Sequence, residues 1–117
     1  MTVIPTNYDF TVVKGAHWDD TLTFRENGVV MDLSTYSAHL QVRATQASTS
    51  TILDLDSGVG GEITLSSTGT LRILVANTVT SSISADEGVY DLELTNGAGS
   101  VQRYLQGNVL FLDEVTR

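Results

Sequence analysis

The segment Ser37-Ala-His-Leu-Gln-Val-Arg43 alternates apolar and polar residues without interruption. Ala38, Leu40 and Val42 therefore fall on one side of an extended chain, and the polar residues fall on the other side. A period of two is typical of a β-strand that buries one face and exposes the other. The segment thus predicts a half-buried strand, and the rest of the chain can be compared with it.

The same alternation recurs on both sides of this segment. It predicts buried faces formed by Tyr8, Phe10 and Val12; Trp18, Leu22 and Phe24; Ile63 and Leu65; Leu71, Ile73 and Val75; Tyr90, Leu92 and Leu94; and Val109 and Phe111. Residues 101–106 also alternate, but both of their faces carry large side chains, so either face is a candidate for the core. β-Branched residues are abundant throughout, which favours strands over helices.

Turn signals separate the alternating segments. Asn27-Gly28 and Asn96-Gly97 are dipeptides that tolerate a positive φ in tight hairpins, and Thr68-Gly69 predicts another tight turn. Residues 57–61 are rich in glycine and residues 44–51 are small and polar, so both stretches are predicted to be exposed loops. The chain is therefore divided into short strands at intervals of roughly 10–14 residues.

These patterns predict an all-β protein, an antiparallel β-sandwich of about eight strands with immunoglobulin-like architecture. We expect residues 1–117 to form a single domain, because no linker or internal repeat interrupts them. Residues 77–85 are the one predicted helical segment, of one or two turns, with Asn77 or Thr78 as its cap. Residues 1–6 include Val3 and Ile4, and they are either a frayed end or an arm that pairs with a neighbouring subunit.

Composition narrows the classes of function. The 117 residues include 14 acidic and 6 basic side chains, which gives a net charge of −8. This balance argues against a nucleic-acid partner, which needs a basic face, and against electrostatic attachment to a membrane. Cysteine is absent, so there is no disulfide, thiol nucleophile or thiolate metal ligand. No cofactor is predicted, because the single lysine, Lys14, does not belong to a phosphate-binding loop.

Catalytic and metal-binding motifs are also lacking. His17 and His39 are the two histidines, and neither stands near a nucleophile motif, so we expect no enzymatic activity and no catalytic residue. Asp54 and Asp56 superficially suggest a calcium loop, but their glycine comes too early for that motif. The alternative is that both carboxylates lie on the polar face of a strand, and no metal site is predicted.

Two further sets of residues are candidates for binding. Trp18, Tyr36 and Tyr90 could line a glycan site, but the alternation instead favours Trp18 and Tyr90 as core residues. The candidate interface consists of arginines within strands, one apolar neighbour of an arginine, and the apolar residues near the N-terminus: Arg43, Arg72, Arg103, Leu74, Val3 and Ile4.

For the arginines a second interpretation is open. Each of them could form a cross-strand ion pair, for example with Asp91 or Glu93, instead of contacting a partner.

Five segments, taken in order, resemble a known family. They are YDFTVVKGAHWDDTLTF (residues 8–24), NGVVMDLSTYSAHLQVR (27–43), GEITLSSTGTLRILV (61–75), GVYDLELTN (88–96) and VQRYLQGNVLFLDEVTR (101–117). Together they resemble small structural proteins of bacteriophage virions and the N-terminal docking domain of siphophage baseplate upper proteins. The resemblance covers almost the whole chain, and the order of the segments is more specific than any single one.

The resemblance implies a structural role and supplies no catalytic residues. It implies a tail, baseplate or fibre-attachment adaptor that assembles through strand edges and sheet faces. The alternatives are a decoration protein on the capsid and a glycan- or receptor-binding module. The implied partners are tail, fibre or major capsid proteins and further copies of this chain, since virions are symmetric. The implied location is the virion, after synthesis in the cytoplasm of a bacterial host.

Overall fold

The chain folds almost entirely into strands. The computed structural model describes residues 5–115. Eight of the strands in this part of the chain have three or more residues, in agreement with the prediction. The strands are β1 (Thr6–Asn7), β2 (Phe10–Val13), β3 (Trp18–Thr23), β4 (Arg25–Glu26), β5 (Val29–Val30), β6 (Ser37–Arg43), β7 (Leu53–Asp56), β8 (Ile63–Leu65), β9 (Thr70–Val75), β10 (Glu87–Thr95) and β11 (Val101–Leu112), with one helix, α1 (Asn77–Thr80), between β9 and β10.

The strands form two main sheets. The large sheet has six strands in the order β1-β11-β10-β6-β7, with β2 also paired to β11. The small sheet has three strands in the order β3-β9-β8, and β4 and β5 form a separate hairpin. Pairing is antiparallel except where β1 and β2 lie parallel to β11. No hairpin joins the first strands to the last one, so chain connectivity does not impose an antiparallel arrangement there.

The core lies between the two sheets and confirms most of the predicted faces. The large sheet contributes Leu40, Leu92 and Val109, and the small sheet contributes Leu71 and Ile73, all of them fully buried. Every second residue of β6, β9 and β10 is buried, as the alternation predicts. The hydrophobic effect therefore fixes which face of each strand is turned inward.

The prediction for Tyr8 is wrong, because its side chain is 44% exposed. The strand is interrupted there: β1 ends at Asn7 and β2 begins at Phe10. In the gap, the Asp9 carboxylate accepts a hydrogen bond from the backbone N–H of Asn108 at 2.9 Å. A side-chain oxygen thus takes the place of a backbone acceptor. The register against β11 is the same on both sides of the gap, since Thr6 pairs with Leu105 and Phe10 pairs with Val109.

Tyr90 and Gly107 hold the backbone of this gap in place. The buried Tyr90 hydroxyl donates a hydrogen bond to the carbonyl oxygen of Tyr8, and burial raises the pKa of Tyr90. Gly107 is also required, since a Cβ atom at that position would lie 2.3 Å from the Tyr8 carbonyl oxygen. The close approach of the two backbones therefore depends on the missing side chain.

A β-bulge divides β11. Leu92 pairs with Leu105 and Glu93 pairs with Arg103, so Tyr104 is left as the extra residue. Tyr104 and Leu105 both turn toward the interior, and the Tyr104 ring meets Phe24 edge-on with centroids 6.0 Å apart. The two faces of residues 101–106 looked equivalent in the sequence because the alternation changes phase inside that stretch.

Two of the three predicted tight turns have a positive φ at the glycine where the sequence predicts it. Asn27 and Gly28 have φ values of 53° and 80°, as predicted for a tight hairpin, and Gly69 has a φ of 82°. Asn96-Gly97 does begin the turn between β10 and β11, as predicted, but the positive φ of 87° falls on Gly99 and not on Gly97. The Asn96 side-chain oxygen accepts hydrogen bonds from the backbone N–H groups of Ala98 and Ser100. The connection between β10 and β11 is therefore wider than a two-residue hairpin turn.

The helix cap also departs from prediction, and only part of the predicted N-terminal arm lies within the described residues. α1 ends at Thr80, and its N-cap is Ala76 without a side-chain cap hydrogen bond, so the predicted cap at Asn77 or Thr78 is wrong. Of the predicted arm, Thr6 pairs with Leu105 of the same chain, and pairing of the arm with a neighbouring subunit stays a prediction. Val3 and Ile4 lie outside the described residues.

Lys14 closes one end of the sandwich. Its residue is only 8% exposed, and its ammonium group lies 2.9 Å from an Asp113 carboxylate oxygen and 3.5 Å from one of Asp86. The hydrogen bond to Asp113 is the main reason why the pKa of Lys14 is raised. The neighbouring turn is held by the buried Thr80 hydroxyl, which donates to the Ala16 carbonyl at 2.7 Å. These contacts tie the β2–β3 connection to the segments before β10 and after β11.

Replacing Trp18 by alanine is expected to destabilise the protein by about 3–5 kcal/mol, since a large buried side chain is lost. Trp18 is 3% exposed, and its ring packs 5.2 Å from that of Phe10. Urea unfolding measures the change. Val59→Ala is the control, because Val59 is fully exposed and its loss should cost less than about 0.5 kcal/mol. A cost below about 1 kcal/mol for Trp18→Ala would show that the ring is not part of the core.

Gly107→Ala is expected to destabilise the protein by about 1–3 kcal/mol, because the new Cβ collides with backbone that cannot easily move. Gly97→Ala is a matched control, since a Cβ there would be 3.5 Å from the nearest atom, an ordinary contact. Equal unfolding free energies for the two variants would contradict the close approach of Tyr8 to Gly107.

Candidate functional site: the outer face of the large sheet

The outward surface of the large sheet collects several of the candidate residues. It is formed by side chains from four strands, and we call it the sheet face: Val13, His39, Gln41, Arg43, Asp91, Arg103, Gln106, Asn108, Leu110 and Leu112. The strand register brings Arg43 opposite Val89, and Val89 opposite Asn108. Residues that are far apart in sequence thus lie side by side on one surface.

A polar hollow of about 360 Å³ lies in the middle of the sheet face. Arg43 and Arg103 stand on its rim, and amide side chains including Gln41, Gln106 and Asn108 line the rest. The structure therefore brings together two of the three arginines that the sequence singled out. Amide and guanidinium groups in one hollow offer many hydrogen-bond donors to a partner.

The partners of the two arginines differ. The Arg103 Nε lies 3.2 Å from an Asp91 carboxylate oxygen, which confirms the cross-strand ion pair predicted as the alternative to an interface role. Arg43 donates instead to the Ser48 carbonyl at 3.0 Å and to the Gln41 side-chain oxygen at 2.9 Å. Within residues 5–115, Arg43 forms no ion pair, so its charge is the less neutralised of the two.

One corner of the sheet face is apolar, and sequence reasoning missed it. Val13, Leu110 and Leu112 are 46%, 46% and 42% exposed, and Leu112 pairs directly with Val13. We call these three residues the apolar corner. The sequence contains a pattern that could have predicted the apolar corner, because residues 109–112 are all apolar. A strand of a two-layer sandwich that is apolar on both faces must expose one of them.

His39, Gln41 and Asp54 form a small hydrogen-bonded group beside the hollow. The His39 Nε2 lies 2.6 Å from one Asp54 carboxylate oxygen, and the Gln41 amide donates to the other at 3.0 Å. The hydrogen bond with His39 is the main cause that lowers the pKa of Asp54. Asp54 is thus engaged within the sheet, as is usual for the polar face of a strand.

The suggested calcium loop is a strand. Leu53 and Leu55 are buried and Asp54 and Asp56 are exposed, which confirms the alternation of β7. Asp56 accepts a hydrogen bond from the N–H of Gly58 at 2.9 Å and so shapes the following turn. No group of three or more metal-ligating side chains occurs among residues 5–115.

Arg72 and Leu74 lie on the opposite side of the molecule, on the outward face of the small sheet. Arg72 makes two hydrogen bonds to the Asp19 carboxylate, at 2.9 and 2.8 Å, and Leu74 is 39% exposed. These hydrogen bonds lower the pKa of Asp19 and raise the pKa of Arg72. This exposed pair is a second surface, separate from the sheet face.

The aromatic residues considered for a glycan site do not share a surface. Trp18 and Tyr90 are buried, as the alternation favoured, and Tyr36 is half-buried against the core. In the described part of the chain, no helix is long and apolar enough to span a membrane.

Comparisons with known proteins report on the fold. No protein-family model matches the sequence. No significant match occurs among curated proteins. Among solved structures, the chain is similar to the extracellular domain of the voltage-gated sodium channel β4 subunit, described as a parallel homodimer that explains its role in cell–cell adhesion. The identity is 12%, the TM-score is 0.48, and the alignment covers 98% of each chain.

The fold is immunoglobulin-like. Chain order and sheet membership support this directly, because β3, β8 and β9 form one sheet while β6, β7, β10 and β11 form the other. This division matches a variable-type immunoglobulin sandwich, in which an extra strand extends the sheet that contains the last two strands. The likeness concerns architecture alone.

His39→Ala is expected to raise the pKa of Asp54 toward the ordinary value for aspartate, because the main hydrogen bond to the carboxylate is removed. His17→Ala is the control and should leave the pKa of Asp54 unchanged. Both are measured by following the carboxyl carbon of Asp54 by NMR during a pH titration.

The linked effect on stability has a definite sign. Because the pKa of Asp54 is lowered in the folded protein, the ionised carboxylate adds to the free energy of unfolding at neutral pH. This contribution is lost as the pH falls through the lowered pKa. An unchanged pKa of Asp54 in His39→Ala would contradict the contact.

Proposed function

We propose that this chain is a non-catalytic structural protein of a bacteriophage virion, an adaptor in the tail or baseplate or at the point of fibre attachment. It assembles with virion proteins and with further copies of itself through the sheet face. The proposal combines the resemblance to phage virion proteins with the layout of that face. It implies that the protein acts in the virion after synthesis in a bacterial cytoplasm.

The apolar corner beside the polar hollow is the observation that carries the proposal. Stable interfaces combine an apolar centre with a polar surround, and arginine is enriched in them. Val13, Leu110 and Leu112 supply the apolar part, and Arg43 supplies a cation that forms no direct ion pair among the described residues, although it helps to lower the pKa of Asp54. With a net charge of −8, the protein favours a partner surface that is neutral or basic around a matching apolar patch.

The location can be tested on phage particles that carry this chain. Immunogold labelling with an antibody to the chain is expected to mark the tail tip or neck. Labelling over the head would instead support the decoration alternative. Mass spectrometry of dissociated, purified particles checks for an epitope that assembly has buried. A chain absent from those particles would refute the virion proposal.

The assembly surface can be tested with variants supplied in trans to a phage that lacks the wild-type chain. Leu110→Asp is expected to reduce incorporation into particles at least tenfold, because a charge is placed in the apolar corner. Val59→Asp, in an exposed loop, is the control and should be incorporated normally. Circular dichroism of the purified variants shows whether each one folds.

Arg72→Glu distinguishes the two sheets. Its side chain is exposed, so we expect the variant to fold, although Asp19 loses its partner. If Arg72→Glu abolishes incorporation and Leu110→Asp does not, the assembly surface is the small sheet and our assignment of the sheet face is wrong.

A further inference from the structure

Two Asn-Gly dipeptides lie in turns of this protein, and the fold gives them different surroundings. Asn27-Gly28 is the two-residue loop of the β4–β5 hairpin, and Asn96-Gly97 begins the connection between β10 and β11. The side chain of an asparagine that precedes glycine can form a ring with the next backbone nitrogen, because glycine has no Cβ atom to hinder the approach. This ring, a succinimide, has five members and is the intermediate of deamidation.

Nothing in the described part of the chain holds the Asn27 side chain. Asn27 is exposed and has a φ of 53°. Within residues 5–115, neither its carboxamide nor the backbone N–H of Gly28 has a hydrogen-bond partner. A Cβ atom built on Gly28 would meet no atom beyond its chain neighbours within 4 Å. The carboxamide carbon and the Gly28 nitrogen, which are the two reacting atoms, are therefore open to water.

The hairpin that carries Asn27 is also weakly held. β4 and β5 have two residues each, and among the described strands they pair only with each other. Hairpins of this size are marginally stable, so local opening costs little free energy. Opening is required because closure of the succinimide ring brings the C–Cα–Cβ–Cγ torsion of asparagine near zero, far from every staggered rotamer.

Asn96, in contrast, is held by its own turn. Its Oδ1 accepts hydrogen bonds from the backbone N–H groups of Ala98 and Ser100, each at 3.0 Å, and its own N–H donates to the Ser100 carbonyl at 3.0 Å. The turn joins β10 to β11, which are paired from Thr95 and Val101 onward within the large sheet. Ring closure at Asn96 must therefore break side-chain hydrogen bonds and distort the end of a long strand pair.

We propose that Asn27 is a site of spontaneous deamidation in the folded protein and that the turn around Asn96 protects Asn96 from the same reaction. Both dipeptides consist of the same two residues, so the dipeptide sequence alone does not distinguish them. The distinction rests on the hydrogen bonds and the strand lengths of the two turns. The inference does not rest on a virion function, because the reaction needs only this chain and water.

The reaction is balanced with water as its only co-reactant. The Gly28 nitrogen forms a bond to the Asn27 Cγ, the bond from Cγ to Nδ2 breaks, and ammonia leaves with the proton that the Gly28 nitrogen gives up. Water then opens the ring at either carbonyl and yields aspartate or isoaspartate in place of Asn27. Both products put a negative charge next to Glu26, and isoaspartate also lengthens the main chain at the tip of the hairpin.

Peptide mapping by mass spectrometry tests the proposal on the folded, full-length protein during incubation in neutral to mildly alkaline buffer. Replacement of the side-chain NH₂ by OH raises the mass of a peptide by about 1 Da. We expect this change at Asn27 to be at least about tenfold faster than at Asn96, since two side-chain hydrogen bonds must break before Asn96 reacts. Equal rates, a faster change at Asn96 or no change at Asn27 would overturn the proposal.

Two controls separate the effect of the fold from that of the local sequence. In urea-unfolded protein, both asparagines are expected to react at similar rates, because the protecting turn is lost. A preference for Asn27 that persists in the unfolded chain would show that the fold does not protect Asn96, and the proposal would be wrong.

The variant Asn27→Gly is the second control, because glycine accepts the positive φ of this turn and has no side chain that can cyclise. The folded variant is expected to lose the early increase in intact mass that the wild type shows. An increase at the wild-type rate would place the reaction at another residue and would also overturn the proposal.

Discussion

The β-bulge at Tyr104 is the constraint on which the sheet face depends. It changes the phase of β11, so that Arg103 before the bulge and Gln106, Asn108, Leu110 and Leu112 after it all face outward, while Leu105, Val109 and Phe111 reach the core. Without the extra residue, strict alternation would place Arg103 on the inward side together with Leu105. The bulge also turns Tyr104 toward Phe24, and the two rings meet edge-on.

The attachment of the first strands to the last one is the second requirement. Thr6 and Phe10 pair with Leu105 and Val109 in a parallel arrangement that no hairpin enforces. Tertiary contacts hold it instead: Asp9 with the backbone of Asn108, the Tyr90 hydroxyl with Tyr8, and Lys14 with Asp86 and Asp113. Such long-range contacts link the two ends of the chain and place Val13 beside Leu112 in the apolar corner.

The polar groups of the sheet face are mostly satisfied within the protein. Arg103 is held by Asp91, Asp54 by His39 and Gln41, and on the other sheet Arg72 by Asp19. Exposed ion pairs of this kind add little stability, and they fix the geometry of the surface more than they strengthen the fold. The apolar corner has no comparable partner among the described residues, and burying it would gain free energy by the hydrophobic effect. This difference makes Leu110 and Leu112 better candidates than the arginines for the energetic centre of an interface.

The sequence by itself determined the all-β class, the number of longer strands and the buried faces of β6, β9 and β10, because burial of one face imposes a period of two that can be read locally. It also determined the turns at Asn27-Gly28 and Gly69, where only a positive φ closes the hairpin. Only the tertiary structure decided the break at Tyr8 and the bulge at Tyr104, since each depends on contacts with residues that are distant in sequence. It also showed that the helix begins after Ala76, without a side-chain cap. The same holds for the candidate site: the sequence indicated Arg43 and Arg103 separately, but strand order placed them around one hollow, and the apolar corner exists because β2 lies beside β11.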